Sequence, residues 1–140
     1  MSQETLNKLE NLKKQYTQEA QNAFKEFTKA LFDNHPEVEF LYWNQYTPYF
    51  NDGDPCVFNV REFALNGYEY WKNYNPHYMF EDESDDEGNL KYTRPKPEAF
   101  ETARQIFKLP DEIFLEVFGD HCSVTLYRDG TQKVEDFDHD

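Results

Sequence analysis

Positive charge is scarce in this chain: 14 Lys and Arg stand against 28 Asp and Glu, a formal net charge of −14 over 140 residues. That shortage argues against wrapping a phosphate backbone, because such binding draws its affinity from Lys and Arg releasing condensed counterions. Cysteine is nearly absent. Cys56 and Cys122 are too few for a disulfide framework and lack C-x-x-C spacing. No apolar stretch approaches the roughly 18 residues of a membrane span, and no signal peptide is read, so a cytoplasmic location with reduced thiols is expected. The fingerprints of common enzymes are missing too: there is no G-x-S-x-G, P-loop, dinucleotide-binding glycine pattern, H-E-x-x-H or zinc-deaminase signature.

Aromatic residues are abundant, with 13 Phe, 10 Tyr and 2 Trp, so one core has ample anchors. A length of 140 residues suits one domain, and no repeat or low-complexity linker divides residues 1–140. Charge is unevenly placed. Residues 1–35 hold five Lys and five acids, so the whole net charge falls in residues 36–140.

Within residues 1–35, Leu6, Leu9, Leu12, Tyr16, Ala20, Ala23, Phe24, Phe27, Leu31 and Phe32 recur at steps that predict an amphipathic helix over about 2–33. Asn34-His35-Pro36 ends it. The helix is expected to pack on a sheet, with the alternative that Leu6 to Leu12 project and pair with a second copy. Sustained heptads are lacking.

The region 36–80 centres on residues 43–58, WNQYTPYFNDGDPCVF, where two β-favouring arms flank Asn51-Asp52-Gly53-Asp54. Strands are expected over 38–47 and 56–65, with Pro48 and Pro55 stopping the pairing and leaving a broad loop. That loop reads as a rigid turn whose aspartates bond the backbone, or else as a ligand or metal loop. Asn66-Gly67 closes the second strand. Residues 68–80 read as an irregular aromatic segment over the sheet, with too few cations to stack on bases.

Residues 81–97 form an acidic loop and a stiff linker. Its run Glu81, Asp82, Glu83, Ser84, Asp85, Asp86, Glu87 resembles a solvated loop by charge density, and it fails the EF-hand template because Arg94 stands where a bidentate glutamate is required. Short helices follow at 98–107 and 111–118, the latter stopped by Gly119. A hairpin spans 123–137 about a turn at 128–131, for which Asp129-Gly130 is a strong two-residue turn signal. The fold class expected is therefore α+β: a long N-terminal helix packed on an antiparallel sheet of two hairpins, with short helices between them.

Candidate chemistry is limited. Asp120, His121, Asp138 and His139 combine imidazole and carboxylate donors that a hairpin could bring together, the donor set of a zinc, manganese or iron site. Cys122 adjoins His121, but strand neighbours point to opposite faces, which works against a Cys–His pair. Binding is favoured over catalysis, and no cofactor is expected.

The block at 43–58, the segment Phe118-Gly119-Asp120-His121 and the terminal Asp138-His139-Asp140 together resemble a recurrent group of small phage and prophage proteins. The resemblance implies a phage-encoded soluble protein acting in a bacterial host cell, and brings no activity with it. The expected role is to dock on a bacterial protein with a basic, nucleic-acid-binding surface and block it by mimicry, in an anti-CRISPR or antirestriction setting. Charge would come from Glu81, Asp82, Glu83, Asp85, Asp86, Glu87, Asp136, Asp138 and Asp140, and contact area from exposed tyrosines among Tyr68, Tyr70, Tyr74 and Tyr78. No direct nucleic-acid or membrane contact is expected, and a homodimer is an open option. The alternatives are a metal-dependent hydrolase at the Asp/His cluster and a phage assembly protein using the N-terminal helix.

Overall fold

The computed structural model describes residues 2–49, 53, 56–69, 80, 83–87 and 90–137. Its elements are α1 (Gln3–Asn34), β1 (Phe40–Tyr46), β2 (Asn59–Val60), β3 (Ala64–Leu65), β4 (Tyr68–Glu69), α2 (Pro97–Ile106), α3 (Asp111–Phe118), β5 (Cys122–Tyr127) and β6 (Gln132–Asp136). The antiparallel sheet has the order β4-β3-β1-β5-β6, with β2 also on β1. This is the α+β arrangement expected, with the two hairpins joined into one sheet by the pairing of β1 with β5.

β1 is central because its side chains serve both faces. Trp43 is fully buried and meets Phe107, Phe118 and Phe114 edge-on at 5.2, 5.4 and 5.9 Å, with Phe24 of α1 at 6.3 Å. Leu41, Val124 and Leu126 share that helix-covered face, since residues paired across strands point the same way. Phe40 and Tyr42 occupy the other face, against Phe80 and Tyr92.

The strand expected over 56–65 is broken. β1 pairs Gln45 with Val60 but Tyr42 with Ala64, so residues 61–63 oppose only two residues of β1. This one-residue bulge lets Val60 and Leu65, an odd number of positions apart, both turn toward the helices. A regular strand would send one of them to the opposite face. Pairing with β1 stops at Tyr46 and Asn59, leaving the broad loop expected between the arms.

Residues 66–69 also depart from expectation. Asn66 and Gly67 do more than close a strand: with φ of +54° and +92° they turn β3 directly into β4. Tyr68 is consequently buried, its hydroxyl accepting from Leu90 N–H at 2.7 Å, and offers no exposed contact area. Gly119 stops α3 as foreseen, but at φ 94°, ψ 178° rather than in the left-handed helical region.

Three polar side chains inside this frame, Asn66, Gln45 and Arg128, are matched by backbone partners. Asn66, fully buried, accepts from Glu39 and Phe40 N–H at 2.6 and 3.2 Å and donates to the carbonyls of Glu37 and Thr93 at 2.7 and 2.8 Å. Buried Gln45 donates to the carbonyls of Phe114 and Gly119 at 2.9 and 2.6 Å while accepting from Trp43 Nε1 at 2.9 Å, which closes the end of α3. Arg128 does the same for α1. Its guanidinium donates to the carbonyls of Phe32, His35 and Val38 at 2.7, 2.6 and 2.9 Å and lies over the Phe32 ring. The last turn of α1 carries no cation of its own, so Arg128 supplies the positive charge favoured there.

Candidate functional site

Alternation along β1 and β5 directs Tyr42, Thr125 and Tyr127 away from the helices, where they floor an open cleft of about 310 Å³. Glu83, Lys91, Lys133 and Glu135 line its sides. Glu83 comes from the acidic segment and Glu135 from β6, so the fold draws two parts of the acidic half to one place. The rim is mixed in sign: Lys133 Nζ pairs with Glu135 at 3.2 Å, and Lys91 lies over the Tyr92 ring.

The exposed residues described in the acidic segment carry one sign. Glu83, Asp85, Asp86 and Glu87 are all exposed, in a turn where Asp85 Oδ1 accepts from Glu87 N–H at 2.9 Å. Such an Asx turn orders a segment whose like charges would otherwise keep it apart. Asp136 is exposed on β6, every residue of which faces solvent. Of the other residues expected to carry charge or contact, Glu81, Asp82, Asp138, Asp140, Tyr70, Tyr74 and Tyr78 lie outside the described residues.

The second expected site sits at the α3–β5 corner. Asp120 accepts from Thr47 N–H at 2.8 Å and Thr47 Oγ1 at 2.7 Å, and from His121 N–H at 2.8 Å. Partial burial by itself would raise its carboxyl pKa, but the bonds from Thr47 and His121 outweigh it and hold the pKa below the usual aspartate range. His121, at φ +52°, stacks on Tyr49 at 4.9 Å, with its Nε2 3.8 Å from Asp120. Asp120 thus braces the loop after β1 against the start of β5. Among the described residues no group of three or more His, Cys, Asp or Glu could hold a metal ion; His139 and Asp138 lie outside them. Cys122 is buried, and its thiol pKa is pushed up by burial first and then by Asp120 and Asp136, so it stays a thiol. Its Sγ donates weakly toward the carbonyls of Phe118 and Gly119.

Of the central loop, Gly53 is exposed, while Asn51, Asp52 and Asp54 lie outside the described residues. Sequence reasoning did not find the cleft. Its floor alternates aromatic and hydroxyl residues on two strands distant in sequence, and only their register reveals that Tyr42 stands beside Thr125.

The fold and its surfaces define an α+β domain with one sheet face bordered by acidic segments. No family model, curated protein or solved structure matches the chain. No helix among the described residues is long and apolar enough to cross a membrane.

Proposed function

We propose that this chain is a binding protein whose acidic sheet margin occupies a basic, nucleic-acid-binding surface of a bacterial protein and blocks it. The observation that carries this reading is that Glu83 and Glu135 line one cleft, which joins the exposed carboxylates of residues 83–87 to those of β6. Carboxylates spread over a rigid edge can replace a run of phosphates, and such pairing steers encounter while weakening with salt. Phe80, Tyr92 and Tyr127 beside the charges supply apolar contact area, which keeps the interaction from being purely electrostatic. An anti-CRISPR or antirestriction factor of a phage is the biological setting this reading proposes, and the resemblance to small phage proteins supports the phage origin alone.

The test is capture of partners from bacterial lysate by the tagged protein at low and high salt. Recovery of a nucleic-acid-binding protein that is released by salt, and is lost with Glu83→Gln/Asp85→Asn/Asp86→Asn/Glu87→Gln, is expected. A partner retained equally by that variant would overturn the reading.

A further inference from the structure

The N-terminal half of α1 is well formed yet lies almost wholly in solvent. Ser2 caps it, with its hydroxyl accepting from Thr5 N–H at 3.2 Å, and Gln3 Nε2 donates to Asn7 Oδ1 at 3.0 Å. At 1.5 Å per residue its 32 residues run about 48 Å, far past the seven-residue β1. Every residue from 2 to 16 is exposed, and the first buried side chain among the described residues of α1 is Ala20.

This exposed half is nonetheless apolar along one side. Leu6, Leu9, Leu12 and Tyr16 are 40, 51, 59 and 48% exposed, and at 100° per residue they continue the face that Ala20, Phe24 and Leu31 turn toward the body. A helix of about 15 residues is marginal in water on its own. A second apolar surface would bury the stripe and secure the helix.

We infer that the surface is the same segment of a second copy, laid antiparallel. Charge selects this occupant. Residues 2–17 carry Lys8, Lys13 and Lys14 against Glu4 and Glu10, whereas residues 36–140 carry the entire net charge of −14. A basic foreign partner would be drawn to the acidic body instead, and two bodies side by side in a parallel pair would repel. Antiparallel pairing puts them at opposite ends. Centred on Leu12, it sets Leu9 of each copy beside Tyr16 of the other. Glu10 of each then faces Lys14 of the other, these two lying one turn apart on one flank. Leu6 reaches the groove of about 460 Å³ between α1 and α3, where Thr17 Oγ1 donates to Glu116 at 3.3 Å and Leu115 is 38% exposed. The leucine stripe lies on a different element from the acidic margin, so either interaction can fail without the other.

The experiment is sedimentation equilibrium of the full chain from micromolar to submillimolar concentration, with thermal melts as the folding control. A reversible dimer is expected. Leu12→Glu, which lies outside the core and leaves the melt of the body unchanged, should weaken the dimer by about tenfold or more. Glu10→Lys should weaken it, and Glu10→Lys/Lys14→Glu should restore it. A monomer mass at every concentration, a dimer indifferent to Leu12→Glu, or a charge swap that fails to restore pairing would each overturn the inference.

Discussion

At the scale of single residues, four polar side chains, Asn66, Gln45, Arg128 and Asp120, hold this fold together by bonding backbone of segments distant in sequence. Asn66 uses both lone-pair directions of its oxygen and both amide protons in four bonds. Asn66→Asp keeps the two acceptor contacts but aims a carboxylate at the Glu37 and Thr93 carbonyls, so a loss of about 2–4 kcal/mol in urea unfolding is expected. Asn66→Gly, which tolerates the positive φ but bonds nothing, should also destabilise strongly; a near-neutral Asn66→Gly would mean that the backbone angle matters and the bonds do not. Arg128→Lys should cost about 1–2 kcal/mol, because an ammonium cannot reach three carbonyls fixed for a planar fork. Asp120 offers a pH test. Its folded pKa is depressed, so its contribution is present above the unfolded value near 3.8 and is lost as pH falls through the folded value. The stability gap between the native chain and Asp120→Asn should therefore be full at neutral pH and shrink in acid; a gap constant with pH would contradict the bonding from Thr47.

At the scale of elements, turns separate what could be read from what could not. The long helix, α3 and the β5–β6 hairpin were legible because each has a clear period and a chemical stop: His35-Pro36, Gly119 and Asp129-Gly130. The hairpin's place was legible but not its turn: the loop has three residues rather than two, with Gly130 N–H donating to Tyr127 O and Tyr127 N–H donating to Thr131 O. The broken return arm was not legible, because the bulge at residues 61–63 destroys the alternation that marks a strand. Asn66-Gly67 was visible as punctuation but not as a hairpin, since the strands on either side are two residues long and carry no period. The candidate sites were less legible than the fold: Asp120 was read only as a candidate ligand, and its bonds from Thr47 N–H and Oγ1 were not visible because Thr47 lies in a loop far away in sequence. The two turn glycines should respond differently. Both have positive φ, but a Cβ on Gly67 would run into Leu90 Cδ1, whereas one on Gly130 meets nothing within 4 Å. Gly130→Ala should cost about 1 kcal/mol for the backbone alone, and Gly67→Ala clearly more because Leu90 must also move. Equal melting points for the two variants would show that the β3–β4 hairpin is not packed as described.

For the whole molecule, the governing fact is a net charge of −14 confined to residues 36–140. Self-repulsion at that density opposes the compact state and is screened over about 10 Å at 0.1 M salt. The melting temperature should accordingly rise as sodium chloride is raised from low ionic strength to near physiological values. Neutralising Asp85, Asp86 and Glu87 as Asn, Asn and Gln should raise it at low salt and leave it nearly unchanged at high salt, because these exposed side chains contribute repulsion but no core contact. One discount applies to Asp85, whose oxygen orders the Glu87 turn; asparagine retains that acceptor. If the acids serve only solubility, the neutralised chain should bind its partner as the native chain does. If they form the docking surface, the variant should be more stable at low salt and weaker in binding, and that opposed response in one protein, read by calorimetry and by salt-dependent capture, separates the two roles of the charge.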